Sequence, residues 1–174
     1  MPLYVAATAL LGGSARDGAR GEMSVRVLLQ LSAALAVALT AANAGLALHF
    51  SGAFTTDAEV LALVRSVALP ACIAQALSAV NTTLEGIFAG CGRFGYIAGM
   101  ALYAASGACA GMAALTAAGW GLGAAWWGLV AFEVLRTLLH AATWSGWWRR
   151  QRAKWAAAEA EAAAEAAAAA AAGL

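Results

Sequence analysis

From Val27 to Trp148 the chain runs 122 residues with only seven charged side chains: Asp57, Glu59, Arg65, Glu85, Arg93, Glu133 and Arg136. A water-facing domain surface needs roughly a quarter to a third of its positions charged. No soluble fold of this size can be built from such a stretch. Composition agrees: 63% of the 174 residues are hydrophobic and 11% charged. The 52 alanines inflate the first figure, so the placement of the charges carries more weight than the average. The chain reads as an integral membrane protein, all-α, because helices satisfy their own backbone in lipid.

A helical crossing needs about 20 apolar residues. Val27–Ser51 is free of Asp, Glu, Lys and Arg, and Ser66–Leu84 lies between Arg65 and Glu85. Phe94–Phe132 is too long for one crossing and is cut by Gly119-Trp120-Gly121-Leu122-Gly123, which is turn chemistry. It yields spans at Tyr96–Ala117 and Gly123–Thr143. The reading is four full spans in a membrane domain over 27–148. Residues 1–11 are too short to cross and read as the end of a truncated transmembrane helix. Residues 12–26 read as a cytosolic-side loop, and 149–174 as a basic, then Ala/Glu-rich mobile tail. Loop charges alternate along the chain: Arg16, Arg20 and Arg26, then Asp57 and Glu59, then Arg93, a neutral turn, then Arg149, Arg150, Arg152 and Lys154. The positive-inside rule puts both ends on the cytosolic side or its organellar equivalent. Trp144, Trp147, Trp148 and Trp155 fall at the last boundary, where indoles prefer to lie.

A net charge of +1 removes nucleic acid as a partner. No phosphate loop or metalloprotease motif is present, and no cysteine has a second ligand at metal spacing. The chain therefore reads as neither an enzyme nor a metal or cofactor protein, and Cys72, Cys91 and Cys109 as small buried hydrophobes.

The second span is the informative one. Gln75, Ser78, Thr82 and Glu85 share a helical face, with Asn81 beside them. Such polarity is costly in lipid and should line a cavity. Glu85 reads either as an ion-coupling carboxylate or as an interfacial anchor near Arg93. Pro70 reads as a kink, Glu133 and Arg136 as a self-neutralising structural pair, and His49 and His140 as interfacial. The Gly86–Gly90, Gly95–Gly99 and Gly107–Gly111 spacings suit close helix approach.

Phe54-Thr55-Thr56-Asp57-Ala58-Glu59-Val60, then Leu69-Pro70, then Leu84-Glu85-Gly86-Ile87-Phe88-Ala89-Gly90 resembles the ninth-to-tenth helix region of multidrug and toxic compound extrusion (MATE) transporters. The likeness is closest to the DinF-like branch, and the Leu-Glu-Gly form is similar to plant chloroplast-envelope members. Ala9-Leu10-Leu11-Gly12 through Arg16-Asp17 resembles the loop after the eighth helix. Gly121-Leu122-Gly123-Ala124-Ala125-Trp126 and Leu135-Arg136 resemble the twelfth. Gly92-Arg93-Phe94 stands where Gly-Asp-Phe is commoner. The resemblance covers residues 3–150 and implies part of the six-helix carboxy-terminal lobe, with the preceding helices missing. It implies a cation-coupled antiporter exporting organic compounds, xenobiotics or organic anions, against a proton or sodium gradient by alternating access. Of the family's positions it carries over only Glu85, as the candidate for ion coupling; Gln75, Ser78, Asn81 and Thr82 remain the cavity-lining candidates from the stripe itself. The implied partners are membrane lipid, a small organic substrate and the missing helices of the same transporter. The implied membrane is the chloroplast envelope, with plasma and vacuolar membranes as alternatives. A non-transporting four-helix scaffold and a flippase of lipid-linked precursors are the competing readings.

Overall fold

A computed structural model describes residues 2–13 and 18–172, and among them every regular element is helical. α1 is Pro2–Gly13, α2 Gly18–Gly45, α3 Ala58–Gly90, α4 Phe94–Ala117 and α5 Leu122–Ala171. α2 runs on through a π turn at Leu46–Phe50 and a 3-10 turn at Ser51–Ala53. Four helices are long and apolar enough to cross a membrane: Gly18–Ala53, α3, α4 and α5. Their number and order are those that the charge spacing and the Gly119–Gly123 turn set.

Their ends differ from the sequence expectation, each for a local reason. α2 begins at Gly18, so most of the expected loop over 12–26 is helix: residues 12 and 13 finish α1 and 18–26 open α2. Arg20, Glu22 and Arg26 are exposed on its surface, and charges on the solvated end of a helix do not interrupt it. Residues 14–17, including Arg16 and Asp17 of the family resemblance, lie outside the described residues. α3 starts eight residues before Ser66 because Asp57 caps it, accepting from Glu59 N at 2.8 Å and Val60 N at 3.3 Å. α3 continues unbroken across Pro70, which is buried within it.

Both turns at the other ends of these helices depend on glycine. Gly92 (φ +74°) follows α3 and Gly119 (φ +82°) follows α4, and each lets amides fold back onto the last carbonyls. Arg93 N reaches Phe88 O and Trp120 N reaches Leu115 O.

α5 is the largest departure. Where a basic, then Ala/Glu-rich tail was expected, residues 149–171 continue one 50-residue helix, about 75 Å long at 1.5 Å per residue. Alanine and glutamate supply no breaker, and Trp155, 3% exposed, gives the extension something to bury.

α3 is central, packed on α1, α2 and α5, while α4 packs mainly on α5. The α1–α3 contact uses Gly86 and Gly90. A Cβ at Gly86 would lie 2.8 Å from Tyr4 O and 2.9 Å from the Ala7 Cβ, and one at Gly90 2.9 Å from the Leu11 Cβ. Only glycine permits that approach. Gly107 meets only the movable tip of the Leu135 side chain, and Gly95, Gly99 and Gly111 have nothing within 4 Å.

Candidate functional site

The polar stripe of α3 divides among three environments. Asn81 and Glu85, one turn apart, meet Glu133, Arg136 and Thr137 of α5, whose 0, +3, +4 spacing turns them to one face. Asn81 is 0% exposed and donates through Nδ2 to Glu133 O at 2.9 Å and to Glu133 Oε2 at 2.8 Å. The Thr137 hydroxyl stands 3.1 Å from Asn81 Oδ1 and 2.9 Å from Glu133 O, and shares its one proton between them. Every polar atom of the Asn81 amide thus finds a partner on α5.

The guanidinium of Arg136 is split between two carboxylates. Nη1 donates to both Glu133 oxygens at 2.9 Å. Nε and Nη2 both reach Glu85 Oε1, at 3.1 Å and 2.6 Å. The expected self-neutralising Glu133–Arg136 pair is therefore one side of a triad. With all three groups ionised, two carboxylates and one cation leave a charge of −1. Buried ions persist when paired and fully hydrogen-bonded. Here Glu133 is saturated, while Glu85 has one oxygen outside the triad and is its more exposed carboxylate. Arg93 does not meet Glu85; its Cζ lies 5.0 Å from the Tyr96 ring centroid and 5.9 Å from that of Phe88.

Gln75 and Ser78 line a cavity of about 750 Å³ between the end of α2, the first half of α3 and the start of α5. Asn43, Ser51, Thr55 and Trp126 complete its polar and aromatic wall, and Glu133 stands where it meets the triad. The π turn brings Leu46 and Ala47 to this wall. Thr82 lines a smaller cleft of about 170 Å³ against Pro2, Leu3, Leu35 and Leu39, and Gln75 and Ser78 border this cleft as well as the main cavity. Of the four expected cavity residues, Gln75 and Ser78 line the main space and Thr82 the minor one. Asn81 lines neither; it is sealed under Glu133, because its amide is spent in joining two helices.

At the opposite end an aromatic cluster replaces the cavity. Phe88, 0% exposed, is ringed by Tyr96, His140, Trp144 and Trp147 at centroid distances of 4.6–6.1 Å. Trp148 joins Trp144 to Trp155. These indoles pack on one another and bury Trp147 and Trp155, where the sequence suggested an interfacial belt. His140, expected at the interface, is 1% exposed; it stacks on Phe88, with Nδ1 3.2 Å from Tyr96 Oη. Its Nε2 has no hydrogen-bond partner among the described residues. His49 lies exposed in the π turn. Cys109, expected inside, is exposed on α4, while Cys72 and Cys91 are half-buried.

Sequence reasoning overlooked Asn43, Ser51, Thr55 and Trp126, and the reach of Arg136 to Glu85. The signal for the latter was available. In 122 residues with seven charges, Glu85 and Arg136 are opposite charges within the membrane domain, and isolated ones there seek each other. Compared with family models, curated proteins and solved structures, the chain matches none.

Proposed function

We propose that this chain is the carboxy-terminal part of a cation-coupled antiporter of the MATE type, exporting small organic compounds by alternating access. One observation carries the reading: two carboxylates, Glu85 and Glu133, share the single guanidinium of Arg136 beside a cavity large enough for a small organic molecule. The network ties α3 to α5 in either reading, but a purely structural tie calls for no cavity beside it. A transporter can use such a group, since a proton or sodium ion can compete with Arg136 for Glu85 without disturbing Glu133. In this reading Glu85 is the coupling carboxylate, and Gln75 and Ser78 contact substrate. Helices outside this chain, meeting it across a midplane cavity, complete the substrate path. The chloroplast envelope is the membrane the resemblance favours.

The scaffold reading has one observation on its side. Gly95, Gly99 and Gly111 give α4 small positions with no neighbour within 4 Å, which another helix could approach.

The test is gradient-driven efflux of a fluorescent organic compound from vesicles carrying the full gene product, with Glu85→Gln and Ser78→Ala variants. Glu85→Gln keeps size and hydrogen bonding but removes titration. It should still bind the compound and lose the response to pH or sodium gradients. Ser78→Ala should weaken binding and leave the gradient response intact. A gradient response unchanged in Glu85→Gln removes that residue from coupling. Absence of efflux under any gradient favours the scaffold.

A further inference from the structure

We propose that the extension of α5 beyond Arg150 is a releasable strap, which closes the basic end of the bundle by locking onto the first turns of α2. The seat is built for it. Gly18 and Gly21, three apart and on one face, form a notch into which Trp155 fits: a Cβ at Gly21 would lie 2.8 Å from Trp155 Cζ2, and one at Gly18 2.9 Å from the Trp155 Cβ. One turn further, Glu159 Oε1 accepts from Gly18 N at 2.6 Å, meeting one of the amides that a helix start leaves unpaired. One turn back, Arg152 lies 3.7 Å from Glu22. Arg152, Trp155 and Glu159 follow the 3, 4 spacing of one helical face, so a single side of α5 makes all three contacts.

The strap can part without unfolding the bundle. α5 has a further anchor about two to three turns before Trp155, where Trp144 and Trp147 pack on Phe88. Beyond Glu159 the helix is exposed through residue 172, so among the described residues nothing further buries it. Beneath the strap, Val25, Leu28 and Trp147 share one buried cluster with Trp155, and its release uncovers them. The strap closes this end while the cavity occupies the other. It would do so in a scaffold as in a transporter, and its test measures no transport.

The full chain, with Cys72→Ala, Cys91→Ala and Cys109→Ala, receives one reporter cysteine at a time: Val25→Cys under the strap or Ala104→Cys buried in α4. Each is labelled with a water-soluble maleimide, with and without Trp155→Ala or Gly21→Leu. Those two variants open the lock from opposite sides. Both should speed labelling at Val25→Cys at least tenfold and leave Ala104→Cys unchanged. Hydrogen exchange should lose protection over residues 152–159 in the same variants while residues 122–143 keep theirs. An unchanged rate at Val25→Cys, or an equal rise at Ala104→Cys, overturns the strap: the first means that nothing is closed, the second that the contact merely supports the whole fold.

Discussion

The two halves of α3 are built on opposite principles. From Asn81 to Gly90 the helix is filled against its neighbours: Asn81 is consumed by α5, Gly86 and Gly90 admit α1 to backbone contact, and Phe88 is enclosed by aromatic rings. From Ala58 to Ser78 it stands beside open space, with Gln75 and Ser78 on a cavity wall. Both halves mix apolar residues with polar ones in the sequence. The difference lies in what reaches them, since glycine lets a helix in and a larger residue in an unfilled space does not. One half is shaped for rigidity and the other for access.

The comparison can be broken most forcefully at the triad. Arg136→Met leaves the buried Glu133 and the partly buried Glu85 without their cation, and breaking a buried pair this way costs about 3–5 kcal/mol. Thermal unfolding in detergent should show the loss. A double variant that adds Glu133→Gln should recover part of it, by removing one unpaired charge.

Gly86→Leu should come next. Its side chain would be driven into the backbone of α1 at Tyr4, and overpacking of this kind costs about 1–3 kcal/mol. Gly99→Leu, with nothing within 4 Å, should leave the monomer's stability unaltered. Equal effects at the two glycines would remove the basis for calling one half of α3 filled.

Asp57→Ala removes the cap of α3 at the open end and should cost about 1 kcal/mol, read in the same melts, with increased amide exchange at Glu59 and Val60. Ser78→Ala should be the mildest, within about 0.5 kcal/mol, because it alters a cavity wall and no helix contact. A loss above about 2 kcal/mol there would mean that the wall is packed rather than open.

Much of the architecture was legible because lipid is an exacting solvent. Charge positions separated the first three spans, and the glycines at 119 and 121 marked the turn that divides α4 from α5. The candidate site was legible only in part. Spacing placed Glu85 and Ser78 on one face of a helix, but 3.6-residue geometry cannot say which helix that face meets. Thr82 turned to α1 and α2, Asn81 to α5, and Ser78 to the cavity, all within two turns.

The tail marks the same boundary from the other side. An alanine-rich segment with three glutamates has no core of its own, so by composition it reads as mobile helix. Trp155 and the notch at Gly18 and Gly21 lie more than 130 positions apart, and neither means much alone. Hydrophobicity and helix propensity are local quantities, summed along the chain, and they set the helices, their number and their order. Which carboxylates share Arg136, which glycines receive a neighbour and where a cavity is left depend on long-range packing. Those followed only once the helices had been brought together.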